Sequence, residues 1–386
     1  MRLVSEMNIH IQNLSLSNFR NYAYARIEAD ARPVVLAGAN GAGKTNILEA
    51  ISLLVPGRGF RKARIPEMDN NQIGTAWAVA ADIYGIRGAA SIGTGRDAEA
   101  DGMVDKRIVK INGKIARAHT ELADIFSLLW LTPQMDTLFI EGNSARRKFL
   151  DRLVFSFDGG HAARVNAYEH VMRERNRLLQ MGNTDRDWLA ALEQKMVENG
   201  IAIAVARQHA MDGLNSAMQL STHAFPKAHM RLSGMVEDLL DQNPALAAEE
   251  GFKEALRGGR VQDAGAGRAL LGVHRTEVEV THSEKNMPAE FCSTGEQKAI
   301  LISIILAQAR AGALWHGNVP VLLLDEVVTH LDNIRRTALF EELASIGAQA
   351  WLTGTDRNVF DGLHAQFFEV EDGKVSVLQN DQLPCE

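Results

Sequence analysis

Residues 9–17 (IHIQNLSLS) alternate apolar and polar positions, as do parts of 76–92 (AWAVAADIYGIRGAASI), which is the period of half-buried strands. Asn112-Gly113 inside KRIVKINGKI, with alternation on both sides, predicts a two-residue hairpin. PVVLAG is a short apolar run ending in a glycine-rich turn, and NILEAISLL after it has helical spacing. Beyond about Leu131 the period changes. From Ser144 to Gln219, RRKFLDRLV and YEHVMRERNRLLQ set apolar residues three and four apart, predicting helices. Residues 241–267, rich in Ala and Gly, read as connections around short elements. Strand character returns at VEVTH, followed by a very apolar helix (AILISIILAQA) and an apolar strand (VPVLLL). AQAWLTG and FFEVEDGKVSVL are the last strand candidates. No internal repeat is visible. The simplest architecture is an α/β head made from both ends of the chain, 1–131 and 271–386, with a mainly helical arm inserted at 132–270.

The chain has 386 residues, 46% of them hydrophobic, enough for a substantial core and more than one lobe. Its 41 basic and 48 acidic residues give a net charge of −7, so any nucleic-acid contact must use a local basic patch. Cys292 and Cys385 are too few for a disulfide framework and suit a reducing compartment. The opening MRLVSEMNIHIQNLSL lacks the long apolar run of a signal peptide. Apolar stretches such as Ala299 to Ala307 fall far short of the roughly 20 residues that cross a bilayer. The expectation is a soluble, cytoplasmic protein with no membrane partner. The histidines show no ligand spacing, so no structural metal is expected, and Cys292 reads as a small buried residue.

Gly38-Ala39-Asn40-Gly41-Ala42-Gly43-Lys44-Thr45 fits the pattern G-x-x-x-x-G-K-[ST]. Glycines let backbone N–H groups curl around phosphate oxygens, and the following helix, which carries Asn46, offers its positive end. Lys44 would reach the β- and γ-phosphates of ATP, and the Thr45 hydroxyl would ligate Mg²⁺. A chance glycine-rich loop is the bland alternative, but strand, loop and helix occur together here. In VLLLDE, two carboxylates follow a buried apolar run. Asp325 would hold Mg²⁺ and Glu326 would orient or deprotonate the attacking water, unless both are simply a solvated loop. Ser293-Thr294-Gly295-Glu296 opens the next helix, either as a plain capping box or as a phosphate-binding helix start.

Placed shortly before the Asp325-Glu326 strand, STGEQ resembles the signature motif of ABC-type ATPases. In that class the signature of one subunit meets the γ-phosphate held by the P-loop of another. The resemblance becomes specific when LSNFRNY, GANGAGKTNILEAISLL, GRGFRKAR, RRKFLDRLV, YEHVMRERNRLLQ, STGEQKAILISIILAQA and LLLDEVVTHLDNIRR are taken in order. Over most of its length the chain resembles the RecF family, in the SMC-like branch of the ABC-type P-loop ATPases. The resemblance implies an ATPase head with an inserted helical arm and an ATP-dependent homodimer. It further implies slow, DNA-linked hydrolysis used as a switch, with Lys44 and Glu326 as the catalytic residues. Such a protein binds gapped or junction duplex DNA and assists recombinase loading with a RecR-type partner, in a pathway that also uses RecO.

By position, the resemblance puts Asp332 in the D-loop at the dimer interface and Gln134 (LTPQMD) in a Q-loop near Mg²⁺. Arg20 and Asn21 fall where SMC-like relatives contact nucleotide, although an exposed arginine at a hairpin end reads equally as a surface residue. The chain also departs from the family. Relatives often carry paired aspartates where Asp325-Glu326 stands, and GVHRTE differs from a family GPHRDD at Val273, Thr276 and Glu277. No role is assigned to that segment, which contains His274. Where transporter ATPases carry a switch histidine, WLTGTDRN offers Thr355 and Asp356.

Two basic clusters could meet DNA phosphate: Arg58, Arg61, Lys62 and Arg64, and then Arg146, Arg147 and Lys148 with Arg152, Arg173, Arg175 and Arg177. Solvated helix faces are the competing explanation. Aromatic residues are only 6% of the chain, which argues for duplex backbone contact over base stacking. The ATP-binding subunit of a membrane transporter, or another SMC-like ATPase, are the alternative functions.

Overall fold

In the computed structural model, which describes residues 9–70, 73–86, 88–97, 106–156, 158–182, 185–221, 224–317 and 319–378, the first alternating run forms β1 (His10–Phe19). Cys385 lies outside the described residues. The chain continues through β2 (Tyr22–Glu28), β3 (Val34–Ala37), α1 (Lys44–Ser52), β4 (Ala78–Gly85) and β5 (Gly88–Arg96). Next come β6 (Arg107–Ile111), β7 (Lys114–Ile115) and β8 (Leu128–Leu131). The expected hairpin at Asn112-Gly113 joins β6 to β7, with φ of 49° and 78° at its two residues.

The central helices are α2 (Asn143–Phe155), α3 (His161–Gln180) and α4 (Arg186–Gln219). After β9 (Ala228–Ser233) come α5 (Met235–Gln242), α6 (Ala245–Gly258) and α7 (Arg260–Ala266). Then β10 (Glu277–His282) and β11 (Met287–Pro288) lead to α8 (Thr294–His316). The chain ends with β12 (Val321–Leu324), α9 (Asn333–Ile346), β13 (Ala350–Gly354), β14 (Gln366–Glu371) and β15 (Lys374–Val377). The connections expected over 241–267 are instead helical. Alanine is the best helix former, and Ala248, Phe252 and Leu256 recur at four-residue intervals on the buried face of α6. Strand β9 carried too few β-branched residues to be expected.

Two compact units result. One gathers the described residues of Met1–Met135, Thr222–Phe225 and Gln308–Glu386, and the other those of Asp136–Ser221 and Pro226–Ala307; the division falls within α8. The first unit holds an antiparallel sheet, β2-β1-β4-β5-β6-β7, and a mostly parallel one, β15-β14-β3-β13-β12-β8. Leu14 and Leu16 of β1, Ile47, Leu48 and Ile51 of α1, and Trp351 of β13 share its core. Strands β3, β12 and β13 are buried at every residue, which is why β3 and β12 read as unbroken apolar runs, and β13 as one interrupted only by Thr353.

The second unit packs α3 and α4 around Tyr168, Met196, Ile203 and Phe252, and carries the small sheet β11-β10-β9. Cys292 is buried, as expected. Contrary to the reading of short apolar stretches, Thr294–Leu314 is apolar and long enough to cross a bilayer by length and composition. That window is 83% buried inside the protein, the condition of a core helix.

Candidate functional site

Parallel pairing brings the ends of four strands to one edge of the first unit. Ala37 of β3 pairs with Gly354 of β13, Leu352 of β13 with Leu324 of β12, and Leu324 with Leu131 of β8. Ligands of open α/β sheets bind outside the carboxyl ends of the strands. The P-loop leaves β3 here, Asp325-Glu326 leaves β12, and Gln134 follows β8 by three residues, exposed.

The loop needs its glycines. A Cβ on Gly38 would lie 2.2 Å from the Val370 carbonyl oxygen. Gly43, at φ 114°, lies directly against the β1–β2 turn. There Asn21 donates from Nδ2 to the Ala42 carbonyl at 3.0 Å and accepts from Asn46 Nδ2 at 2.8 Å. Lys44 is buried and donates to the carbonyls of Gly38 at 2.7 Å and Ala39 at 2.8 Å. Burial pushes its ammonium pKa down, against the upward pull of Glu326 and Asp325.

The Thr45 hydroxyl donates to Asp325 Oδ1 at 3.0 Å, across 280 residues of sequence. Asp325 is buried, and desolvation raises its pKa, with Glu326 adding to the rise. Its Oδ1 also accepts from the fully buried Thr353 Oγ1 at 2.8 Å, and that same hydroxyl accepts the Glu326 backbone N–H at 2.8 Å. Glu326 adopts a left-handed backbone, φ 54°, unusual for a side chain of its size. Thr353 was missed in the sequence, although a polar residue inside the apolar run AWLTG was the available signal. A desolvated carboxylate beside a hydroxyl is a hard oxygen donor set that suits Mg²⁺, with Thr45 and Asp325 the residues that could hold it.

Around the loop two arginines, Arg20 and Arg61, are already engaged. Buried Glu49 of α1 accepts from Arg20 Nε at 2.9 Å, Arg20 Nη2 at 2.7 Å and Arg61 Nη1 at 2.9 Å. Arg61 also donates to Asn46 Oδ1 at 2.7 Å. Arg58, Lys62 and Arg64 are exposed on the same segment. Thr355 is exposed, and Asp356 caps a short turn by accepting the Asn358 N–H at 2.9 Å.

In the second unit, Glu296 Oε2 accepts from Ser293 N at 3.0 Å and Ser293 Oγ at 2.8 Å, closing the capping box at the start of α8. Hydrogen bonding from Lys285, and then from Ser293, holds the Glu296 carboxyl down at about 2. Ser293, Thr294 and Gly295 are exposed, with open space above Gly295. Arg146 is bonded to the Phe139 carbonyl at 2.7 Å and Arg147 to the Thr276 carbonyl at 2.7 Å, while Lys148 is exposed. Arg175 is a correction. It is wholly buried, bonded to Glu193 at 2.9 Å, Asp263 at 2.6 Å and the Leu256 carbonyl at 2.7 Å, and cannot meet phosphate. In the first unit, Asp332 is exposed and caps α9 by accepting the Arg335 N–H at 2.8 Å.

A family model for the RecF/RecN/SMC N-terminal domain matches residues 10–374. The DNA replication and repair protein RecF of Rhizobium rhizogenes is 46% identical over 372 residues, covering 95% of this chain and 98% of that protein. The protein of the same name from Agrobacterium fabrum is 46% identical over 375 residues, with the same coverage. A solved structure of the recombination mediator protein RecF with ATP in the RecFOR pathway superposes with a TM-score of 0.83 at 22% identity. It covers 97% of this chain and 98% of that one. An Smc head domain with an extended coiled coil from Pyrococcus furiosus reaches 0.55 at 15% identity, covering 96% of each chain.

Proposed function

This chain belongs to the RecF family of DNA replication and repair proteins, and from that premise we propose that it is an ATP-hydrolysing, DNA-binding switch acting at single-strand gaps. The observation that carries the reading is the 3.0 Å hydrogen bond from Thr45 to Asp325, which joins P-loop and acidic strand at one sheet edge. Gly38 to Thr45 with Asn46 bind the triphosphate of ATP through backbone N–H groups and the start of α1. Lys44 neutralises charge on the β- and γ-phosphates, and Thr45 and Asp325 hold Mg²⁺, with Gln134 approaching it. The metal supplies charge neutralisation at the phosphates when bound. Glu326 orients and deprotonates the attacking water.

The exposed Ser293 to Glu296 segment serves the site of a second copy, so that ATP assembles a homodimer with Asp332 at its interface. Hydrolysis is slow and resets the dimer. By role, the functional lobes are a head, 1–131 with 271–386, and an arm, 132–270, so that 271–307 counts with the head although it belongs to the second compact unit. DNA is met by exposed members of the basic clusters, Arg58, Lys62, Arg64 and Lys148, in the form of gapped or junction duplex. Recombinase loading proceeds with a RecR-type partner, in the cytoplasm. Family membership sets the transporter alternative aside.

The test is molar mass in solution with ATP and Mg²⁺, for wild type, Glu326→Gln and Lys44→Met, each with and without a gapped duplex. Glu326→Gln is expected to hold an ATP-dependent dimer that retains DNA, while Lys44→Met stays monomeric. A mass that never responds to ATP in wild type or in either variant refutes the composite site.

A further inference from the structure

Thr353 is the last residue but one of β13, the strand that separates the P-loop strand β3 from the acidic strand β12. Its hydroxyl has a fixed polarity. The Glu326 N–H can only donate, so Oγ1 accepts there at 2.8 Å, and its own proton is left for Asp325 Oδ1 at 2.8 Å. The same Oδ1 receives the Thr45 hydroxyl at 3.0 Å. One buried side chain is therefore bonded to both acidic residues of the site. A left-handed glutamate persists only where its surroundings over-determine it, and the bond to Thr353 supplies that constraint from a neighbouring strand.

We infer that Thr353 is a positioning residue for ATP hydrolysis, fixing the backbone of Glu326 and the orientation of the Asp325 carboxylate against each other. The inference rests on the ATPase reading above. It makes the hydroxyl, and not the bulk of the side chain, the element that matters. Valine keeps the shape and removes the hydroxyl, whereas serine keeps the hydroxyl and removes the methyl group.

The full-length chain is compared as wild type, Thr353→Val and Thr353→Ser. Four quantities are read: kcat, KM for ATP, the Mg²⁺ midpoint for binding a fluorescent ATP analogue, and binding of that analogue in EDTA. Thr353→Val is expected to lose roughly 10- to 100-fold in kcat, with KM within about threefold and the Mg²⁺ midpoint raised about threefold or more. Binding in EDTA stays within about twofold, and Thr353→Ser recovers kcat to within about threefold of wild type. In a Glu326→Gln background, adding Thr353→Val lowers residual turnover by less than about threefold, because the two changes act on one group.

Thr353→Val matching wild type in both kcat and Mg²⁺ midpoint overturns the inference. So does a Thr353→Ser variant as impaired as Thr353→Val. If Thr353→Val does not fold, Thr353→Cys, similar in size and a weak donor, takes its place. A wild type without turnover refutes the ATPase reading by itself, and the Mg²⁺ midpoint of binding still decides the role of Thr353.

Discussion

Glu49 is the place to separate structural arginines from functional ones. Its side chain is 2% exposed and takes three charge-assisted hydrogen bonds, two from Arg20 and one from Arg61. Breaking a fully buried ion pair costs about 3–5 kcal/mol, because the remaining charge is stranded. Here the arginine side chains are 21% and 32% exposed, so water recovers part of that loss. Glu49→Gln is therefore expected to destabilise the unit by about 2–4 kcal/mol, since glutamine offers only one acceptor oxygen and turns an amide N–H toward a guanidinium. Urea is the denaturant of choice, because guanidinium salts would screen the interaction under test. Trp77 and Trp351 sit in the core of the same unit and report its transition by fluorescence. Arg61→Ala should cost less than Glu49→Gln, and if Arg61 meets DNA it also lowers the salt slope of DNA affinity by about one. A Glu49→Gln cost below about 1 kcal/mol would refute the reasoning. Arg20 and Arg61 would then be held by something other than this carboxylate, and both would be free to leave it for nucleotide or DNA.

Two further perturbations test the site and the second unit. In Gly43→Ala, the new Cβ would lie 2.5 Å from Asn21 Nδ2 and 2.6 Å from the hydroxyl of fully buried Tyr22, at a left-handed φ. ATP-analogue binding should weaken at least about tenfold in a titration, and unchanged affinity would show the turn to be compliant. His274 is held neutral chiefly by burial, with Nε2 on the Ala269 carbonyl at 3.0 Å and Nδ1 on the Tyr168 hydroxyl at 3.0 Å. A histidine whose folded pKa is lowered makes the protein lose stability as pH falls through the unfolded value of about 6.5, by at most about 1.4 kcal/mol at pH 5.5. Urea melts at pH 7.5 and 5.5 should show a larger loss in wild type than in His274→Gln, where His119, whose pKa burial also lowers, still contributes. An equal loss in both would assign it to other groups.

What could be read in the sequence follows from how far apart the determining residues lie. The apolar runs at β3, β12 and β13 were legible because central parallel strands are covered on both faces, and the chemistry sits where those runs stop. The helix α6 was masked by the Ala- and Gly-rich composition of 241–267, although Ala248, Phe252 and Leu256 carry the four-residue spacing of a buried face. Arg175 could not be told from exposed Arg173 and Arg177, since its acidic partners are 18 and 88 residues away along the chain. Thr353 escaped for the same reason, its partner Asp325 lying 28 residues back, just past the end of a neighbouring strand. The segment STGEQ is different, since both of its readings are local. Its structure displays the capping box in full, yet that box uses the Glu296 carboxylate and the Ser293 N–H and hydroxyl, and leaves Thr294 and Gly295 exposed at the helix start. The cap shapes the end of α8, and the same positive end can then serve a phosphate on a second copy. A satisfied cap is therefore no argument against the signature role, and only the ATP dependence of assembly separates the two.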